Sequence, residues 1–398
     1  MQYHTDVKSG VPLSRLGFGC MRFPRTPLGQ IDVKKTERLV LHAIEQGVNY
    51  FDTAYLYPGS EQVLGEIIQK NDIRKKIHIA TKLPLGKCET YEDFDRLFDA
   101  QLRHLRTDFV DYYLMHNMPA LTVWEDLCEL GIERWIAEKK KSGQIRRIGF
   151  SFHGMQDQFL ALLDAYDWDF CQIQYNYMNI NYQAGRTGLL RAAQKGLPVI
   201  IMEPLLGGKL ASGLPKGALE AFRSADSTLS PAAWALRWLW NQPEVTVVLS
   251  GMSSMQQLTE NIDIANASAP GMLTPQDAVT YENATSAISA AYKVPCTGCN
   301  YCMPCPREVN IPASFSAYNM SFALGMIAAL PQYVTSTGSF SKVKDYSPSR
   351  CVQCGQCEKR CPQHIPIMQE LQNVRKRMEP FWLRAAKAVM TRQRTRRP

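Results

Sequence analysis

No apolar run in this chain reaches the roughly 18 residues that a membrane-spanning helix requires, and the opening segment MQYHTDVKSG has no apolar export signal. Lacking both, the sequence reads as soluble and cytoplasmic, with no membrane span. A broad excess of basic charge is missing too. The formal charge is +8, but from Val374 onward nine Lys/Arg stand against the single Glu379, which leaves eight. The remainder is formally neutral, so no basic face for nucleic acid is implied. Nor does a G-x-G-x-x-G follow the first strand-like run, which argues against a doubly wound open sheet.

What is present is a repeated alternation over the first ~270 residues, long enough with the remainder for two domains. Eight short runs rich in Val, Ile, Tyr and Phe recur: RLGFGCM, VNYFDTA, IHIATKL, VDYYLMH, RRIGFSF, FCQIQYN, PVIIMEP and VTVVLSG. They are too short for helices and read as strands. Helical stretches lie between them. One example is Val33 to Gly47, with apolar residues three and four apart and a glycine stop. Eight strand–helix units in about 250 residues point to an α/β fold, the (β/α)8 TIM barrel. The turn chemistry at Lys8-Ser9-Gly10-Val11-Pro12 predicts a hairpin closing the bottom of that barrel.

Chemistry in such barrels sits at the C-terminal ends of the strands. Strand two ends in Asp52, with Tyr57 just beyond it; strand three ends in Lys82 and strand four in His116. Any one of these alone reads as an ordinary structural or solvated residue. Together they bring an acid, a phenol, an amine and an imidazole to one mouth. A buried Lys82 ammonium needs a partner, which Asp52 can supply. The ammonium is expected to lower the pKa of Tyr57 toward neutral pH. His116 can hydrogen-bond a substrate oxygen.

The segments FDTAYLYPGSE, ATK and LMH resemble the active-site signatures of the aldo-keto reductases, and the resemblance spans roughly residues 1–270. It implies hydride transfer between a nicotinamide cofactor, NAD or NADP, and a small-molecule carbonyl or alcohol. Tyr57 would be the proton donor, Lys82 and Asp52 its tuning pair, and His116 the group orienting the carbonyl. It also implies that Ser151 and Gln172 hold the nicotinamide amide, although Phe152 stands where the family usually has Asn. After strand seven, Met202-Glu203-Pro204-Leu205 offers no ring to stack on the nicotinamide. In SGMSSMQQLTEN, Gly251, Ser253, Gln257, Glu260 and Asn261 fall at the adenosine-binding segment. Ser253 and Ser254 stand where NADP-preferring relatives carry Arg or Lys. A phosphate without a cation loses charge-assisted hydrogen bonds, so NAD, or weak binding of either form, fits better than strong NADP preference.

Of the 12 cysteines, Cys20, Cys88, Cys128 and Cys171 are scattered and read as idle or buried thiols. The other eight form two motifs. CTGCNYCMPCP supplies Cys296, Cys299, Cys302 and Cys305; CVQCGQCEKRCP supplies Cys351, Cys354, Cys357 and Cys361. C-x-x-C-x-x-C followed by C-P is the two-cluster ferredoxin run, in which the fourth cysteine ligates the other cluster. By that crossing Cys296, Cys299, Cys302 and Cys361 hold one [4Fe–4S], and Cys351, Cys354, Cys357 and Cys305 the second. The first motif has two residues before its last cysteine where three are usual. Structural zinc, the competing reading, favours two separated pairs. Between the motifs, ASFSAYNMSFALGMIAAL reads as helix, and the spacing resembles helical dicluster ferredoxin modules attached to redox enzymes.

The expected organisation is a barrel at 1–270, a helical linker at 271–295, a mainly helical dicluster ferredoxin-like domain at 296–370 and a basic tail at 371–398. The tail reads as solvated or disordered chain, or as a contact for an acidic redox partner. Barrel and module together resemble iron–sulfur-containing aldo-keto reductase-like oxidoreductases. Three functions stay open: a nicotinamide-dependent reductase with structural clusters; a coupled enzyme exchanging electrons with a ferredoxin-like protein; and an electron-relay subunit whose barrel uses no nicotinamide. Coupling requires a converter between two-electron hydride and one-electron cluster chemistry, such as a flavin, for which no motif is visible.

Overall fold

The structure, a computed structural model, describes residues 1–296, 298, 301–338, 345–361 and 363–381. Eight parallel strands close into a barrel: β3 (Leu16–Gly19), β4 (Tyr50–Asp52), β5 (His78–Leu83), β6 (Val110–Met118), β7 (Ile145–Phe152), β8 (Phe170–Gln174), β9 (Val199–Met202) and β10 (Val245–Ser250), the last pairing back to β3. They are the eight strands that the sequence predicts. Tyr50, Ala80, Tyr112, Phe170, Ile200 and Val247 pack together inside the barrel. Their chain neighbours Phe51, Ile79, Tyr113, Cys171, Ile201 and Val248 join the outer core under the helices. Burial on both faces is why each strand reads as an unbroken apolar run rather than an alternating one.

The predicted hairpin is β1 (Tyr3–Thr5) and β2 (Pro12–Ser14), paired antiparallel. Its turn is closed by the Gly10 amide donating to the Asp6 carbonyl at 2.7 Å, with Gly10 at φ +71°. Leu13, fully buried, plugs the bottom of the barrel against the interior residues just named. Asp6 secures the plug by accepting from the Tyr112 hydroxyl at 3.0 Å and pairing with Arg147 at 3.1 Å. Only the C-terminal end of the barrel remains for a ligand.

The segment expected as a linker is a packed element. Helix Pro275–Ser289 starts at a Thr274/Asp277 capping box and lies on helix Lys216–Ala225. The Tyr281 hydroxyl donates to the Trp234 carbonyl at 2.7 Å. Beyond it come helices Ile311–Ala323, Met326–Ser336 and Ile367–Met378. The apolar stretch between the cysteine motifs is thus two helices, not one. Gly325, at φ +88°, breaks it in a conformation that other residues adopt only with strain. Barrel residues Tyr177, Leu206, Leu210, Leu214, Phe222 and Trp234 share one apolar cluster with Phe315, Tyr333, Leu371 and Met378 of the C-terminal region. The C-terminal region therefore sits on the loops after β8 and β9, beside the mouth. Residues 371–378 belong to helix Ile367–Met378 rather than to a tail. Residues 382–398 lie outside the described residues.

Candidate active site

Asp52 ends β4 and Lys82 lies in β5, on neighbouring strands. Lys82 is 1% exposed, and its Nζ donates to Asp52 Oδ1 at 2.5 Å and to the Thr53 carbonyl at 2.7 Å. The second Asp52 oxygen accepts from Gln172 Nε2 at 2.9 Å. Both charges are therefore desolvated and partnered, the condition under which a buried pair is tolerated. Behind them lies a polar network that sequence reading missed. Gln101 Nε2 donates to the Lys82 carbonyl (3.1 Å) and to Glu61 (2.8 Å), while Thr81 donates to Glu61 and Tyr113 to Gln101. Its signal is only buried polar residues on helical faces, which resembles surface patterning until the faces are known.

Tyr57 sits in the loop after β4, its ring centroid 5.1 Å from Lys82 Nζ and 6.0 Å, edge-on, from the His116 ring. The loop is pinned by the Thr53–Ser60 hydroxyl pair (2.8 Å) and by Ser60 donating to the Cys20 carbonyl (3.0 Å). All four residues are thus brought to one place. One expectation is corrected. Burial holds the Tyr57 phenol above its ordinary pKa; Lys82 pulls it down but does not overcome desolvation. The group is a retained proton rather than a ready phenolate. Burial acts against the Lys82 ammonium as well, yet the opposing Asp52 and Tyr57 raise it overall, so it stays charged. Burial, with help from Lys82 and His153, holds His116 well below its usual range and so neutral. Its Nδ1 is shielded and has no protein partner.

The residues expected at a cofactor divide. Ser151 Oγ accepts from the Asn117 amide at 2.8 Å, holding the turn after His116 while keeping its own proton to donate. Gln172 is tied to Asp52. Gln174, two residues on and facing the same way, is 1% exposed, with neither amide atom partnered by protein. Gly251, Ser253, Gln257 and Glu260 lie at the rim, with Gln257 Oε1 accepting from the Ser253 amide at 2.9 Å. Asn261 is buried and donates to Ser250 Oγ at 2.9 Å, a structural contact. Arg22 was not legible in sequence, having no motif around it. Its side chain lies along Gly251 and reaches Gly207: a Cβ built there would meet Arg22 Nη2 at 3.1 Å. It is an exposed cation between two mouth loops.

Seven of the eight motif cysteines are described; Cys299 is not, nor is Pro362. Cys296, Cys302, Cys305, Cys351, Cys357 and Cys361 fringe the shared apolar cluster, and Cys354 is exposed. Left-handed residues shape the motif loops: Gly298, Glu308, Gln353, Gly355 and His364. The Gln353 amide donates to Cys351 Sγ at 3.4 Å, the kind of N–H···S contact that tunes a cluster. A thiolate-only donor set fits iron–sulfur ligation in its chemistry, while among the described residues no three of these side chains are gathered around one point. Asn319 anchors the approach to the first motif, accepting from the Lys293 and Val294 amides and donating to the Val294 carbonyl. Of the scattered cysteines, Cys20 and Cys171 are buried. Burial also pushes the half-buried Cys88 up to about 12 and Cys128 to about 11, leaving both thiols protonated.

Comparison with known proteins matches residues 15–270 to the Aldo/keto reductase family and residues 295–365 to the 4Fe-4S dicluster domain. The L-glyceraldehyde 3-phosphate reductase of Escherichia coli (strain K12) is 25% identical over 313 residues, covering 67% of this chain and 88% of that protein. The 6-dehydroglucose reductase of Novosphingobium aromaticivorans is 26% identical over 275 residues, covering 64% and 87%. An aldo-keto reductase from Bacillus halodurans, solved in its holo form, superposes with a TM-score of 0.59 at 24% identity, over 71% of this chain and 95% of that one; it shows the fold. These matches span the barrel and the strand ends where Asp52, Tyr57, Lys82 and His116 meet. The chain belongs to the aldo/keto reductase family, as an oxidoreductase carrying a 4Fe-4S dicluster domain at its C-terminus.

Proposed function

We propose that the protein interconverts a small-molecule carbonyl and its alcohol with a nicotinamide cofactor, and that two [4Fe–4S] clusters exchange electrons one at a time with the barrel site through a two-to-one electron converter of the flavin class. The carrying observation is the buried Asp52–Lys82 pair set under Tyr57 and beside a neutral His116. Bound at the mouth, a reduced nicotinamide supplies the hydride, and the clusters supply one-electron transfers.

The chain's own residues do the rest. Tyr57 holds a proton at its phenol oxygen and passes it to the carbonyl oxygen. Lys82, fixed by Asp52 and Gln172, stabilises the phenolate left behind. His116, being neutral, donates one hydrogen bond to the same oxygen and stabilises its developing charge. The Ser151 hydroxyl, Gln172 and the unpartnered Gln174 amide are suited to the nicotinamide carboxamide. Arg22 suits the cofactor's phosphates and supplies the cation that the last loop lacks, so a preference for NAD over NADP rests only on Ser253 and Ser254.

Coupling is favoured over purely structural clusters by one contact. Gly298, inside the first cysteine motif, lies against Asn181 in the loop after β8; a Cβ there would stand 3.4 Å from the Asn181 carbonyl oxygen. The motif therefore touches the rim of the barrel site. Anaerobic titration with NADH, and separately NADPH, tests the reading by cluster absorbance. Bleaching means shared electrons. Unchanged absorbance during continued carbonyl turnover would leave the clusters structural.

A further inference from the structure

The cysteine module carries a charged groove that the barrel chemistry does not use. Helix Ile367–Met378 lines it with Met368, Leu371, Arg375 and Lys376, whose three- and four-residue spacing puts them on one helix face. Cys351 and Gln353 of the second cysteine motif share the lining. The groove therefore runs from a predicted cluster ligand to a pair of cations. Val352, 56% exposed, and the exposed Cys354 stand on the same motif loop.

Charge of one sign surrounds this groove. Among the described residues from 347 to 381, the exposed Lys, Arg, Asp and Glu side chains are Lys359, Arg360, Arg375 and Lys376, all cationic. The acids of the stretch are turned inward. Glu358 accepts from the Met368 amide at 2.8 Å and Glu370 from Asn373 at 3.2 Å, both half-buried. The buried Glu379 accepts from the Tyr333 hydroxyl at 2.7 Å and reaches Arg375 at 3.7 Å. Lys376 forms no ion pair among the described residues. Cations in a last helical turn answer the helix dipole, but the dipole does not remove every exposed acid from the neighbouring motif loop.

What fills the groove has to be anionic. This chain's own tail is not, since residues 382–398 hold six Lys/Arg and no Asp or Glu, and a second copy would bring the same tail. The groove also ends at Cys351, so its occupant comes to rest against the cluster-binding loop.

We propose that the groove between Cys351 and Lys376 is the docking site of a small, acidic one-electron carrier protein, whose carboxylates pair with Arg375 and Lys376 while its cofactor edge faces Cys351 and Cys354. The purpose of the docking rests on the electron-exchange reading above; the binding does not. Carboxylates set against exposed cations form charge-assisted hydrogen bonds. Such pairs speed encounter and fix orientation more than they add affinity, which suits a carrier that leaves after each electron. Val352 and Met368 offer apolar contact beside the charges.

The test is anaerobic biolayer interferometry of the full, cluster-loaded protein with two probes, an acidic ferredoxin and an acidic flavodoxin. At least one should bind, with an affinity that falls steeply as salt rises from about 50 to about 300 mM. Lys376→Glu should weaken it about tenfold, chiefly through the association rate. Arg394→Glu, an equal charge change in the tail, should do far less. In the wild-type complex a carbodiimide should join a carrier carboxylate to Lys376, read by mass spectrometry of the peptides. No binding by either carrier, equal weakening by the two substitutions, or cross-links confined to other lysines overturns the site. So does a groove that serves another anion: a DNA duplex or phosphatidylglycerol vesicles losing affinity in Lys376→Glu while neither carrier binds. Carrier binding that fails while nicotinamide still bleaches the clusters removes the docking site alone. Clusters that nicotinamide leaves unbleached remove the electron-exchange reading and leave a cross-linked carrier in place.

Discussion

The barrel mouth and the cysteine module hold their functional groups in opposite ways. In the barrel, Lys82 is fixed by Asp52 and Thr53, Asp52 by Gln172, and the backbone of Lys82 by Gln101. Every restraint comes from the protein, and two of the four restraining residues, Asp52 and Gln172, stand in strands. Among the described residues of the module the cysteines lie in loops, save Cys357 in the short helix Gln356–Lys359, and the larger helices pack beside them. Protein contacts fix the base of the module, while the clusters themselves must close its ligand loops. A preorganised site tolerates the loss of its cofactor; a site closed by its metal does not.

The sharpest test of this contrast is Tyr57→Phe. It should lower carbonyl reduction by about 10²–10⁴-fold, the worth of a positioned proton donor, while the iron–sulfur absorption stays as in the wild type. Retained turnover would remove Tyr57 from the chemistry.

Next in size is Asp52→Ala, which strands a buried ammonium. A loss of about 3–5 kcal/mol in barrel stability is expected, read as a lowered urea midpoint in far-UV circular dichroism. A wild-type midpoint would mean that the pair is not the keystone of the mouth.

Cys354→Ala should lower bound iron and destabilise the module, with the barrel's circular dichroism retained. Full iron content in this variant would reject Cys354 as a ligand. Smaller again is Tyr281→Phe, which removes one hydrogen bond at the joint; about 1 kcal/mol is expected, seen as earlier proteolysis of the C-terminal region.

The last prediction is a null effect. Tyr57 is held above its ordinary value and His116 well below its own, so the phenol stays protonated and the imidazole neutral across the middle of the pH range. The profile of kcat/KM for reduction should be flat from about pH 6 to about pH 9, falling only where the phenol ionises, above the ordinary tyrosine value of about 10. A limb near neutrality would show that one of these groups titrates there.

The eight strands were legible because burial on both faces leaves continuous apolar runs that no helix period explains. The meeting of Asp52, Tyr57, Lys82 and His116 was legible because a closed barrel brings strand ends together whatever lies between them. The net upward shift of Tyr57 was not, since it depends on how much burial opposes Lys82, and burial is a property of the assembled mouth. Arg22 was hidden for a related reason: its role is set by Gly207 and Gly251, far away in sequence. The joint escaped notice because Leu206, Leu210 and Leu214 look like any barrel contact until they are seen to share one apolar cluster with residues from beyond 310.

That joint carries a practical consequence for producing the protein. Cutting the chain after the barrel would bare Tyr177, Leu210, Phe222 and Trp234 to water as one contiguous greasy patch, the usual seed of aggregation. A chain shortened to the barrel should therefore keep helix Pro275–Ser289, whose Tyr281 lies over Tyr177, Phe222 and Trp234.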